Sequence, residues 1–262
     1  MYNEIDECLN EYDGRQAYQL IKEIKTKEKE GSVELEYRLA HACYILSNFC
    51  LSKENERYQL LYEAYLSCKW AWKLEPRNAE VLKWSAIISG TLAELKNLSD
   101  SERVTYVREF KKFLDEALTT PPDSSIYHMN GRFCYRIATL SEKEKECVAI
   151  AFDSLPLCTI DDALDNFHKA EELSSGHVDN HLYLSKCYIA KGNYTEAQKY
   201  LMHIIKIVPS DQADEAMIAE AQELLADIEK IQDENERNEN SHEPEIGKTA
   251  NSHSEEESNA ID

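Results

Sequence analysis

From Tyr2 to Ile231, apolar residues return at intervals of three and four, the spacing that lines one face of an α-helix. Leu35, Leu39, Ala42, Cys43 and Leu46 form one such stripe, and Val81, Trp84, Ile88, Leu92 and Leu95 another. A further helix is predicted over Asp211 to Ile231, with Asp211 as its cap, Asp214 and Glu215 in its first turn and Lys230 near its end. Those end charges suit the helix dipole. Its stripe is Met217, Ile218, Ala221, Leu224, Leu225 and Ile228.

Laid over these stripes is an internal repeat. A small residue is followed four positions later by an apolar one, three later by another small or apolar one, and five later by proline. Ala64, Cys68, Ala71 and Pro76 fit, as do Ala197, Leu201, Ile204 and Pro209. Phe110, Leu114, Ala117 and Pro122 fit with a bulky first residue. Ala163, Phe167, Ala170 and Ser175 lack only the proline, and Ala17, Ile21 and Ile24 keep the first three terms. Steps of four and three put these residues on one helix face, and proline forbids the helix from continuing. Each such helix has a partner upstream. Val178 to Asp211 is the clearest unit, with small Ser185, aromatic Tyr188, a turn at Gly192, then Tyr194, Ala197, Leu201 and Pro209. This resembles the tetratricopeptide repeat, whose period is about 34 residues. The other units are irregular, and Ser141 to Thr159 reads as an insertion: a short extra helix and loop packed through Val148, Ile150, Ala151, Phe152 and Leu155. The fold class expected is all-α: a tetratricopeptide-like α-solenoid of antiparallel helix pairs with a C-terminal capping helix, at least eight helices and no sheet.

Composition agrees and sets a boundary. Seven glycines and six prolines in 262 residues are too few for the many turns of a β-sandwich or barrel. From Asp233 to Asp262 there are ten acids against two bases, and the only large apolar residues are Ile246 and Ile261. Such a segment cannot bury enough apolar area to offset its ordering entropy. The expected organisation is therefore a helical-repeat domain over residues 1–231 and a disordered acidic tail over 232–262.

The net charge of −21 argues against non-specific binding to nucleic acid or an anionic membrane, both of which reward positive charge. No apolar run approaches the roughly 18 residues of a membrane span, so no stable membrane insertion is expected. The N-terminus is acidic and lacks the basic start and apolar run of a signal peptide. Eight scattered cysteines without a C-x-x-C pair then read as reduced, mostly buried thiols of a cytoplasmic protein. The Asn-x-Ser/Thr matches at Asn97 and Asn193 are chance.

Chemistry-bearing motifs are scarce. There is no G-x-G-x-x-G, no Walker loop and no G-x-S-x-G. His177 and His181 are four apart, but no third ligand accompanies them, and they read as solvent-facing histidines. Cys43 and Cys50 read as core thiols on one apolar face, and Asp161-Asp162 as acids favouring a helix start. No catalytic residue, metal or cofactor is expected; the chain reads as a non-enzyme.

What rises above background is the inner face of the stack, which the first helix of each pair lines. Positions three before, one after and four after the small packing residue adjoin that face. Around Ala40 they are Tyr37, His41 and Tyr44; around Ala86, Lys83, Ile87 and Gly90; around Gly131, His128, Arg132 and Tyr135; around Ser185, Leu182, Lys186 and Ile189. An acidic chain thus places Lys83, Arg132 and Lys186 on one groove among Tyr37, His41, His128 and Tyr135. This suggests an anionic ligand, either an extended acidic peptide or a phosphate-bearing headgroup. The bland alternative is that these bases pair with acids nearby.

Several segments go beyond a generic repeat: Lys83-Trp84-Ser85-Ala86-Ile87, Gly131-Arg132-Phe133-Cys134-Tyr135, the run Ala163 to Leu173, and Leu182-Tyr183-Leu184-Ser185-Lys186-Cys187-Tyr188. In this order they resemble the regulator of microtubule dynamics protein family, over about Glu34 to Leu225. The resemblance implies a tetratricopeptide-like fold, no catalysis, and association with microtubules and spindle poles, with tubulin or a microtubule-associated protein as partner. Some members of that family carry an N-terminal membrane anchor. This chain starts directly at a helix, which favours a cytoplasmic, cytoskeletal form. The expected function is a scaffold whose groove binds an acidic peptide; the second reading is a lipid-binding or transfer module for acidic phospholipids, which an apolar cavity behind Lys83 and Arg132 would favour.

Overall fold

The computed structural model describes residues 2–27, 31–209 and 212–240, and among them it contains twelve α-helices and no strand. In chain order these are α1 (Asn3–Asn10), α2 (Gly14–Lys27), α3 (Val33–Ile45), α4 (Glu54–Leu74), α5 (Ala79–Ala93), α6 (Asp100–Leu118), α7 (Ser124–Ala138), α8 (Glu142–Phe152), α9 (Ile160–Leu173), α10 (Val178–Ala190), α11 (Tyr194–Ile204) and α12 (Gln212–Asn240). The pairs are α1 with α2, α3 with α4, α5 with α6, α7 with α9 and α10 with α11; α12 closes the stack against α11 and α10. This is the helical solenoid that the repeat predicts.

The repeat residues do what their spacing requires. Ala64, Cys68 and Ala71 are buried, as are Ala163, Phe167 and Ala170, and Ala197, Leu201 and Ile204. Their small members let paired helices approach. A Cβ on Gly131 of α7 would meet the Phe167 ring of α9 at 2.7 Å, so only glycine allows this crossing. Gly192 turns α10 into α11 with φ of 72°, a left-handed conformation that glycine adopts without strain.

Several helix ends are satisfied by side chains. Ser99 with Glu102, Ser141 with Glu144 and Thr159 with Asp162 form capping boxes that open α6, α8 and α9. Two arginines of α6 close other helices: Arg103 donates to the Ala93 and Leu95 carbonyls at the end of α5, and Arg108 to the Ala151 and Ile150 carbonyls at the end of α8. The second helices of neighbouring pairs are laced together. Glu63 of α4 accepts from Tyr18 and Lys22 of α2, both at 2.8 Å, and Glu109 and Glu116 of α6 accept from Lys69 and Trp72 of α4.

Four details differ from the sequence reading. α12 runs to Asn240, past the boundary drawn at Ile231; residues 241–262 lie outside the described residues. Between α3 and α4, Leu46–Cys50 is a π-helical turn. Its wider winding rotates Cys50 off the α3 stripe, so Cys50 is exposed while Cys43 is buried. Cys147 is exposed as well. In the insertion, α8 buries Ala151 and sets Phe152 against Phe133, but Ile150 faces outward, 76% exposed.

Candidate functional site

Of the first helices of the pairs, α1 touches α3, α3 touches α5, and α7 touches α10, which in turn touches α12. Side chains along these helices gather in two clusters.

The first lies between α3 and α5. His41 stacks on Trp84 with ring centroids 4.1 Å apart and 25° between planes. Burial, with the Lys83 charge beside it, holds the His41 imidazole down at about 4 from an ordinary 6.5. Tyr37 turns towards α1, where its hydroxyl accepts from Arg38 at 2.8 Å while Arg38 holds Asp6. Lys83 Nζ is 2.7 Å from Glu80 and 3.0 Å from Asp123, the residue that caps α7. A small depression beside Lys83 is lined by Ala79, Glu80, Ala117, Thr120, Pro121, Pro122, Asp123 and Ile126.

The second cluster centres on Tyr183 of α10. The Arg132 guanidinium lies 5.3 Å from its ring centroid and the Lys186 ammonium 4.9 Å. Tyr135 meets the same ring edge-on at 5.7 Å, and Phe167 stacks on it at 5.5 Å. His128 packs against Phe167 and Tyr183; its Nδ1 bonds Asn180 Oδ1 at 3.1 Å, and its Nε2 lies 3.1 Å from Asp179. Burial alone would raise the Asp179 carboxyl, but the hydrogen bond and charge of His128 and the Asn180 N–H hold it at about 2.

The bases are therefore not bare. Lys83 answers Glu80 and Asp123, Lys186 answers Glu220 of α12 at 2.7 Å, and Arg132 answers Glu94 at 3.8 Å. Lys83 and Lys186 are enclosed, with 17% and 19% of the side chain exposed, whereas Arg132 is 47% exposed and Glu94 73%. Of the seven residues singled out in the sequence, His128, Arg132, Tyr135 and Lys186 share the Tyr183 cluster, and His41 and Lys83 share the other. Tyr37 leans away towards Arg38. The offset rule fails at two other positions: Gly90 faces Phe110 of α6, and Leu182 is buried with α11 and α12.

Sequence reasoning missed Tyr183, Trp84 and the carboxylates. Glu80 stands three before Lys83, a pairing distance on a helix, and Asp123 precedes α7 as a cap residue does, so both left a signal. Glu220 left none, because its contact with Lys186 depends on how α12 docks.

Another polar string runs through α9, α10 and α11. Glu171 accepts from the Gly176 N–H and the Asn180 amide and lies 2.9 Å from His181 Nε2; His181 Nδ1 is 3.1 Å from His203 Nδ1. His181 is buried, in contrast to the solvent-facing position expected of it, while His177 is exposed and bonds Ser174. Among the described residues no helix is long and apolar enough to cross a membrane.

Residues 1–229 match the family model described as Regulator of microtubule dynamics protein 1-3. Regulator of microtubule dynamics protein 1 of Caenorhabditis elegans is 29% identical over 82% of this chain and 94% of its own length. Regulator of microtubule dynamics protein 2 of Rattus norvegicus is 30% identical over 79% of this chain, and protein 3 of Mus musculus 29% over 81%. This chain spans about half the length of those two mammalian relatives, 50% and 45%. Among solved structures, a thermophilic TPR protein of Thermus thermophilus superposes with a TM-score of 0.53 at 16% identity, covering 82% of this chain and 93% of the other, which establishes likeness of fold.

Proposed function

The chain belongs to the regulator of microtubule dynamics protein family, and on that premise we propose that it is a non-enzymatic helical-repeat scaffold that helps regulate microtubule dynamics. Its partner is tubulin or a microtubule-associated protein, met in the cytoplasm at the cytoskeleton and spindle poles, and the contact is an extended acidic segment held against the inner surface. The observation that carries this reading is the Tyr183 cluster. There, Arg132 keeps half its side chain open and holds its own carboxylate at only 3.8 Å. A partner carboxylate can take that guanidinium from Glu94 in a two-toothed bond, while Tyr135 and Tyr183 flank it with ring surface. Lys83 and Lys186 set the potential around the site and stay with their intramolecular partners. The net charge of −21 repels an acidic filament at long range. Beyond about 8 Å that repulsion is screened at physiological salt, so the local contact decides.

The test is co-sedimentation with intact microtubules and with microtubules stripped of their acidic tails. Wild type should bind the intact form more strongly, and Arg132→Glu should lose at least about tenfold while keeping its helicity, since an interfacial charge reversal costs roughly 2 kcal/mol or more. Undiminished binding by a folded Arg132→Glu chain would remove the groove from the interaction. Binding to vesicles of acidic phospholipid, lost in the same variant, would move the function to the lipid reading.

A further inference from the structure

We infer that the outer ridge of α4, formed by Tyr62, Leu66, Trp70 and Leu74, is the contact through which two copies of this chain pair, antiparallel, about a two-fold axis between Leu66 and Trp70. Eleven large apolar side chains are exposed among the described residues, and four of them stand on this one helix at steps of four, 39% to 57% exposed. Every fourth residue of a helix forms a ridge of the kind that meshes with another helix. Leu66 lies two residues from both Ala64 and Cys68, so the ridge is on the side turned away from the buried row Ala64, Cys68 and Ala71. Apolar side chains scattered singly need no partner, but a row of four is a patch. Two of its members are already set in place. Tyr62 is stacked between Tyr58 and Tyr65, with ring centroids 5.7 and 5.9 Å away. The Trp70 indole lies on the Gly31 backbone, where a Cβ would come within 2.8 Å of the ring. Fixed rings lose little freedom on association.

The charges beside the ridge select the partner. Glu56 and Glu63 stand near its start, and Lys73 and Arg77 at its end. Glu56 holds the exposed Lys53, and Glu63 holds Tyr18 and Lys22. Lys73 and Arg77 meet no carboxylate among the described residues. In an antiparallel pair, Tyr62 faces the other copy's Leu74 and Leu66 faces its Trp70, which brings Lys73 and Arg77 to the Glu56 and Glu63 end. The contact is isologous, so each copy gives what the other takes. An anionic membrane would instead meet Glu56, Glu63 and a net charge of −21, and is disfavoured. From Tyr62 to Leu74 the ridge is about 18 Å long, too short to fill a standard interface of about 1,600 Å². The dimer is therefore weak and reversible, on the micromolar scale. Repulsion between two acidic copies is screened beyond about 8 Å at physiological salt, which leaves the near contact to decide.

Sedimentation velocity of the full chain at physiological salt tests this, over about 1–200 µM, a range that brackets a micromolar Kd. Wild type should pass from monomer towards dimer across that range. Leu66→Asp sets two carboxylates beside the axis and should weaken the dimer at least about tenfold. Its circular dichroism and melting should stay as in wild type, because the site is exposed. Leu157→Asp, at an exposed apolar position on the connection before α9, should leave the dimer unchanged. An equimolar mixture of Leu66→Asp and Trp70→Lys chains should associate more tightly than either alone, since the two substituted positions face each other across the pair. A wild-type chain that stays monomeric throughout would overturn the inference, as would a folded Leu66→Asp chain that dimerises like wild type. A mixture no tighter than its components would overturn the antiparallel register.

Discussion

In the α1–α6 half, Ile5, Ile21, Leu39, Ile45, Leu61, Ile88 and Leu92 meet in one continuous apolar body. Across α7–α11 the apolar clusters are smaller, and Asn180 and His181 sit buried between helices with their polar atoms engaged. Both halves use the same repeat and both bury polar groups, but in the first these are four serines and Glu36, which Lys25 answers, whereas in the second Asn180 and His181 each bridge to neighbouring helices. Apolar filling is non-directional, and a lost side chain leaves a cavity whose cost depends on how far neighbours relax. Polar filling is directional: removing one member leaves its partners buried and unsatisfied. The first half is held mainly by its larger apolar body, and the second depends more on bonds that run between helices.

The largest expected effect lies in the apolar half. Leu39→Ala, at a fully buried position, should cost about 2–5 kcal/mol in chemical denaturation, with the denaturant slope unchanged. Asn180→Ala should cost less, about 1–3 kcal/mol. Its effect should concentrate locally: amide exchange should quicken in α7, α9 and α10, which lose the bonds to His128, Phe167 and Glu171, and stay slow in α3 and α4. Uniform quickening would mean that the two halves unfold as one unit and would dissolve the comparison.

Acid sharpens it from the other side. His41 belongs to the first half and is held neutral, at about 4. A base with a depressed value contributes stability that is full above its ordinary 6.5 and is lost as pH falls from there towards 4. Asp179 in the second half, held at about 2, loses its contribution only below its ordinary 3.8. Between pH 6.5 and 4, the His41 loss should therefore appear first, on the order of 1–2 kcal/mol by pH 5. His41→Phe, which keeps a ring on Trp84, should flatten that slope; an unchanged slope would assign it to other groups.

The smallest effects separate the groove cations. Lys83→Glu breaks two pairs at a position only 17% exposed and sets a third carboxylate beside Glu80 and Asp123, so about 1 kcal/mol of melting stability should go. Arg132→Glu, half exposed, should cost about 0.5 kcal/mol or less while changing partner binding. The reverse order would make Arg132 the structural cation and Lys83 the free one.

Much of this was legible in the chain. The steps of four and three located the buried faces of the second helices, and the insertion at Ser141 to Thr159 showed as an interruption of the spacing. The groove was legible only in part, because a fixed offset from a small residue assumes every helix is rotated alike. Gly90 and Leu182 show that it is not: each turns towards a neighbouring helix. Apart from Glu80, which shares α5 with Lys83, the carboxylates that answer these bases come from elsewhere in the stack, and α12, which supplies Glu220, announces its docking angle nowhere in its own stripe. Cys50 was misplaced because nothing in Leu46–Cys50 marks a change from α to π winding.

The insertion also bears on how the protein can be labelled. α8 joins the two members of a pair, α7 and α9, yet these still pack directly on each other, and α8 leans on α6 through Arg108. The segment after it, with Leu157 97% exposed, connects back to α9 through a cap that Thr159 and Asp162 supply between themselves. The packing of α7 on α9 thus does not run through α8, although Phe152 and Glu144 of α8 touch Phe133 and Arg136 of α7. The exposed stretch around Leu157 is where a fluorescent reporter could be grafted so that the protein is followed in cells with both termini left untouched.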